Sequence, residues 1–292
     1  MLNIIKYKFV FLIISGLLTV AAIAALAAIG LKPGVDFSGG VSWQLQFHDK
    51  MATVAELNQR FPGAIVTPQD GGKFLLRMEN LEDAARQQDL LELSKDYGVV
   101  EELQFQNIGP AVGVDLKQKA IWAFGLVLLA ISLYVAFAFR KVSRPVSSWK
   151  YGIITLLTLF HDALIPAGMF AVLGKLFNLE VDTNFVVAVL VVMGFSVHDT
   201  IVVFDRIREN LRLSGGGATG DFDGLVNSSI NQTIARSINT SLTLVLTLLA
   251  LFFLGPISLQ YFILMILVGT IVGTYSSIFV ASPLLTLWKG RS

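Results

Sequence analysis

The stretch GFSVHDTIVVFDRIREN, Gly194–Asn210, closes a long apolar run and places a carboxylate, Asp199, inside it, before the basic residues Arg206 and Arg208 arrive. An apolar run that ends this way reads as a membrane helix reaching the aqueous boundary. Set at Phe204 or Asp205, that boundary leaves Asp199 roughly 8 to 9 Å inside at about 1.5 Å per residue. A charge at mid-span costs about 2.5 to 3.5 kcal/mol on insertion scales, so such a residue faces a bundle interior and has a task there.

The rest of the chain follows the same pattern. Of its 292 residues 54% are apolar and 15% charged, with a mean hydropathy of +0.68, outside the range of soluble domains. The runs Phe9–Ile29, Ala120–Phe139, Tyr151–Leu173, Phe185–Phe204, Ile238–Leu254 and Tyr261–Leu285 predict six spans. The first is longer than the apolar region of a cleaved signal peptide, although Ala25-Leu26-Ala27 has the form of a cleavage site. The chain has no cysteine, which removes disulfides and thiolate metal ligation.

Basic residues set the orientation. Lys6, Lys8, Arg140, Lys141, Arg144, Lys150, Arg206, Arg208, Arg212, Lys289 and Arg291 all fall on one side of a six-span chain, while the short loops opposite offer only Lys175. Both termini are therefore expected in the cytoplasm. The chain divides into residues 1–31, an N-terminus and first span; 32–119, an extracytoplasmic domain; and 120–292, the remaining spans.

Within 32–119 the alternation of VSWQLQF predicts a half-buried strand with Val41, Trp43, Leu45 and Phe47 inward. Thr53 and Glu56 have capping-box spacing ahead of a helix, Ala64–Thr67 and Lys73–Met78 read as a hairpin turning through Gln69-Asp70-Gly71-Gly72, Asn80 is a candidate cap for a second helix, and Val99–Gln106 reads as a last strand with Leu103 and Phe105 alternating. The order strand, helix, strand, strand, helix, strand is the ferredoxin-like pattern. It contains no nucleotide loop, metal cluster or nucleophile-base pair, so a contact module is the expected role. GVDFSGG (Gly34, Asp36, Phe37, Gly39, Gly40) and IGPAVG (Gly109, Pro110, Gly113) read as constrained junctions between this domain and the membrane.

The ionisable residues inside spans are the candidate site: His161 and Asp162 in span three, His198 and Asp199 in span four, and Arg236 where span five begins. Arg236, Thr240, Thr243 and Thr247 share one helical face, and Ser196 and Thr200 flank Asp199. An Asp that gains and loses an Arg partner changes protonation as it does so, which predicts an Asp199–Arg236 pair able to carry a proton. Asp162 and His198 would support it. Leu225 to Arg236 reads as an interfacial helix beyond a break at Ser214-Gly215-Gly216-Gly217, and Gly269, Gly273 and Ser277 form a small-residue series suited to close helix contact. No metal, organic cofactor or nucleic acid is expected. Two rivals stay open: an intramembrane aspartyl enzyme, which needs Asp162 and Asp199 to converge on a water, and a passive scaffold, in which Asp199 is dispensable.

GVDFSGG, IGPAVG, His161-Asp162, DTIVVFDRIREN and Ile234-Ala235-Arg236 with Asn239-Thr240-Ser241, in this order over six spans, resemble the SecF family of protein-export membrane subunits. The resemblance covers nearly the whole chain, with two departures: His198 stands where Asn is common, and Asp115 where Glu is. It implies an RND-type half-transporter in the bacterial cytoplasmic (inner) membrane, paired with SecD beside the SecYEG channel. It also implies that the proton-motive force drives late export of a preprotein, with protons as the coupling ion and Asp199 and Arg236 on their path.

Overall fold

The computed structural model describes residues 2–69, 71–140, 146–214, 221–256 and 259–288. Asp70 of the expected hairpin turn, Gly215 to Gly217 of the expected break, and Lys141, Arg144, Lys289 and Arg291 lie outside the described residues. Among the described residues six helices are long and apolar enough to cross a membrane. They are α1 (Lys8–Ile29), α5 (Pro110–Ala138), α6 (Ser148–Phe177), α7 (Thr183–Leu213), α8 (Phe222–Leu254), and a last span made of α9 (Gln260–Ser276), a π-helical turn (Ser277–Ala281) and α10 (Ser282–Leu287). Packing of α6, α7 and α9 against one another forms the centre, with α1 and α5 against α6 and α8 against α7 and α9.

Between α1 and α5 come α2 (Val35–Ser38), β1 (Gly40–Phe47), α3 (Val54–Arg60), β2 (Ile65–Gln69), β3 (Lys73–Met78), α4 (Asp83–Tyr97) and β4 (Val100–Ile108). The sheet order is β2-β3-β1-β4 with every neighbouring pair antiparallel, which is the ferredoxin-like topology. Pro68 is tolerated because β2 is an edge strand. Val41, Trp43, Leu45 and Phe47 are buried as their alternation requires, with Leu57, Leu76 and Leu93 behind them. Thr53 and Glu56 make the full capping box.

Several boundaries differ from the sequence reading for local reasons. The cap of α4 is Glu82 rather than Asn80. A bulge in the β1–β4 pairing, between Gln44 and Leu45, skips Leu103 and leaves it exposed, while Phe105 stays opposite Trp43. The same bulge brings Glu102 to Trp43 Nε1 (2.6 Å) and Arg86 (2.8 Å). The helix of the second span starts ahead of Ala120, within IGPAVG: Gly109 caps α5 and Pro110 takes its first position, where a missing amide costs nothing. Residues 225–236 are not a separate interfacial helix but the first turns of α8. Their polar side holds the chain's start, with Leu2 N donating to Asn231 Oδ1 at 2.8 Å and Lys8 paired with Asp223 at 2.8 Å.

The two glycine motifs pack on each other. A Cβ on Gly113 would lie 2.8 Å from Gly39 N and 3.1 Å from the backbone of Phe37, and one on Gly39 would meet Pro110 Cα at 2.8 Å. Gly39 and Gly40 also adopt positive φ, +78° and +128°. The start of α5 is thereby seated against α2, so both chain crossings between the domain and the membrane meet in one joint.

Candidate functional site

The central helices approach closely where side chains are missing. A Cβ on Gly269 would collide with Val192, and one on Gly273 would lie 3.0 Å from Ser196 Cβ, so these two glycines do set the α7–α9 contact. At that contact a polar cluster is built on α6. Asp162, fully buried, accepts Ser196 Oγ from α7 and Ser276 Oγ from α9 (2.6 Å) on one oxygen, and on the other meets His161 Nδ1 at 2.7 Å. His161 Nε2 is buried without a hydrogen-bond partner among the described residues. One turn further along α7 Thr200 bonds Ser277 (2.9 Å), and on the α8 side of α9 Ser241 bonds Thr274 (2.5 Å).

Asp199 lies on the adjacent face of α7. It is 3% exposed, with Ser237 of α8 and His198 of its own helix as polar neighbours. Its Oδ2 and Ser237 Oγ are both buried without a hydrogen bond among the described residues. A buried carboxylate oxygen left without a partner is costly, so it is the unusual group at this contact. Inward of it, Arg206 Nε to Gln232 Oε1 (2.5 Å) and Asn210 Nδ2 to Ser229 Oγ (2.8 Å) bind α7 to α8.

The expected Asp199–Arg236 pair is absent among the described residues. Position 236 is one residue, about 100°, from Ser237, so when Ser237 faces α7 the guanidinium is carried round to the exposed side. Thr240, Thr243 and Thr247 lie on that exposed side too and bond only the backbone of their own helix. His198 is exposed as well. Asp162 and Asp199 share no hydrogen bond among the described residues: Asp162 binds α7 and α9, whereas Asp199 lies beside Ser237 of α8.

Sequence reasoning missed the serines. Ser277 reads as a small packing residue and Ser276 carries no reading, yet together they supply α6 and α7 with hydroxyls; a hydroxyl pair just after a glycine series was the available signal. It also missed the outer end of α7. There Asp36 Oδ2 accepts both the amide and the hydroxyl of Thr183 (2.8 Å each), and Glu180, almost fully buried, meets Lys32 (3.3 Å) and Arg77 (3.7 Å).

Six membrane helices around a polar core, a ferredoxin-like domain inserted after the first, and a buried carboxylate on the fourth define a polytopic membrane protein of the transporter-half type. The match is specific. The model for protein export membrane protein SecD/SecF, C-terminal, covers residues 89–291. The protein translocase subunit SecF of Thermobaculum terrenum is 41% identical over 100% of this chain and 95% of its own length, and that of Anaerolinea thermophila 35% over 99% and 94%. The crystal structure of SecDF from Thermus thermophilus superposes with a TM-score of 0.84 at 35% identity, over 99% of this chain, and a SecDF structure in a super-membrane-facing form gives 0.71. The chain spans 39% of that first SecDF chain. The chain belongs to the SecD/SecF family of protein-export membrane proteins.

Proposed function

We propose that the chain couples inward proton movement to protein export, working as one half of a complex with SecD beside the SecYEG channel, on a preprotein already emerging from it. Both termini face the cytoplasm, residues 32–119 lie outside the bacterial inner membrane, and protons are the coupling ion. The observation that carries this reading is the buried, unpartnered Asp199 Oδ2 on a helix whose outer end is fastened to the outer domain.

Protonation of Asp199 removes a charge from the α7–α8 contact and lets its carboxyl donate to Ser237. The two protonation states then favour different α7–α8 arrangements, which is what a population shift requires. The exposed stripe of Arg236 and its threonines suits a second six-helix half better than lipid: a guanidinium against hydrocarbon is costly, whereas SecDF of Thermus thermophilus carries both names in one chain. Asp162, with three donors, serves as the fixed polar centre about which α6, α7 and α9 are held.

Export of a secreted protein into membrane vesicles, with and without a proton gradient, tests this with Asp199→Asn. Loss of the gradient's stimulation, with gradient-independent export intact, supports the reading. A wild-type response in the variant makes Asp199 structural and turns the chain into a scaffold.

A further inference from the structure

The outer end of α7 is held by more than its own loop. The residue before the helix, Asp182, caps Phe185 N at 2.9 Å in the ordinary way, but the first helical amide, Thr183 N, is taken by Asp36, which lies 147 positions earlier in the segment leaving α1. The same oxygen accepts Thr183 Oγ1. Beside it the chains pair as strands do, with Gly34 N on Val181 O and Val181 N on Lys32 O, both 2.8 Å, and Pro33 bridging Val181 in parallel. Gly34 leaves the room this needs, since a Cβ there would lie 3.0 Å from Val181 O. Glu180 completes the joint by drawing Lys32 from the linker and Arg77 from β3 of the outer domain onto one buried carboxylate.

We infer that Asp36 and Glu180 are positioning residues that make the outer domain a rigid extension of α7, so that a shift of α7 at Asp199 moves the domain. Asp199 lies sixteen residues along α7 from Thr183, about 24 Å at 1.5 Å per residue, and a straight helix carries axial displacement over that length with little loss. A loop alone would absorb it. Asp36 prevents that by gripping the helix itself, and Glu180 by tying the loop to the sheet. This rests on the proton-coupled reading for its purpose, though the joint itself does not.

The grip needs one oxygen accepting two donors, which an amide oxygen also provides. Asp36→Asn is therefore expected to keep gradient-stimulated export, and Asp36→Ala to lose it while gradient-independent export stays at the wild-type level. Hydrogen exchange at the Thr183 amide reads the joint without activity: faster in Asp36→Ala, near wild type in Asp36→Asn. Because the chain has no cysteine, a Pro33→Cys, Val181→Cys pair adds a single possible crosslink within it, across bridged positions. Oxidised in the Asp36→Ala background, it is expected to restore stimulation. Asp36→Ala responding to the gradient like wild type overturns the inference, as does Asp36→Asn failing equally or a formed crosslink that rescues nothing. If the wild type itself ignores the gradient, the proton reading falls and Thr183 exchange alone decides the joint.

Discussion

Asp162 of α6 accepts the hydroxyl of Ser276 from α9 at 2.6 Å, with no solvent reaching either residue. Ser196 and His161 give it two more donors from α7 and its own helix. Removing Ser276's hydroxyl deletes one bond to the carboxylate, about 1 kcal/mol, whereas Asp162→Ala strands the buried Ser196 and His161 donors at about 1 to 3 kcal/mol each, Ser276 keeping the Gly273 carbonyl at 3.0 Å. Thermal unfolding in detergent should rank Asp162→Ala well below Ser276→Ala and Ser196→Ala. Equal losses would show that the cluster is not centred on the carboxylate.

Gly269 and Gly168 make contrasting predictions. The three atoms nearest a Cβ on Gly269 all belong to the side chain of Val192, so Gly269→Ala should cost about 1 to 3 kcal/mol and Val192→Ala in the same chain should recover much of it. A Cβ on Gly168 meets Ala22 Cα at 2.6 Å and its carbonyl at 2.9 Å. Gly168→Ala should therefore push α1 off α6, and no trimming of a partner side chain should restore it.

Arg236 is exposed in the chain by itself. Arg236→Gln should leave the melting temperature of the isolated chain within the change of about 0.5 kcal/mol typical of surface sites. Gradient-stimulated export in the assembled complex should nonetheless fall. A large drop in the isolated chain's stability would place the guanidinium inside this chain's own packing.

In the outer domain, Glu56 is held below the ordinary carboxylate value of 4.5 by the Thr53 backbone amide first and the Thr53 hydroxyl next. A group lowered on folding stabilises above its unfolded pKa, and that contribution fades as pH falls through the folded value. Protection of the α3 amides against exchange should thus weaken below about pH 4.5 in the wild type. Thr53→Ala, which removes the capping hydroxyl but keeps the residue-53 amide on Glu56, should cost about 1 kcal/mol at neutral pH and weaken this dependence only in part.

What the sequence made legible followed the reach of each signal. Period-two alternation reported Val41 to Phe47 correctly because one face of β1 is buried along its whole length, and a long apolar run reports a span whatever it packs against. The same periodicity shows that Arg236 and Thr240 share a face but not whether that face turns inward, since it cannot distinguish a bundle's interior from a surface meant for another chain. The bulge at Leu103 and the start of α5 at Pro110 turn on single residues within otherwise regular patterns. The grip of Asp36 on Thr183 joins segments 147 positions apart, where no local pattern operates.

The π-helical turn Ser277–Ala281 gives the last span two phases. Wider hydrogen bonding absorbs an additional residue, so the faces of α9 and α10 are offset rather than continuous. Above the turn Gly269, Gly273 and Ser276 address α6 and α7; below it Leu285 joins the inner core and Thr286 takes Lys8 Nζ at 3.2 Å. Deleting one residue here would regularise the helix and leave both faces nearly in place, whereas deleting one from the regular turns of α9 would swing the far end by about 100°. Where a residue is lost therefore matters more than how many contacts are kept, and a copy shortened within α9 with every contacting residue retained would still assemble the wrong surface.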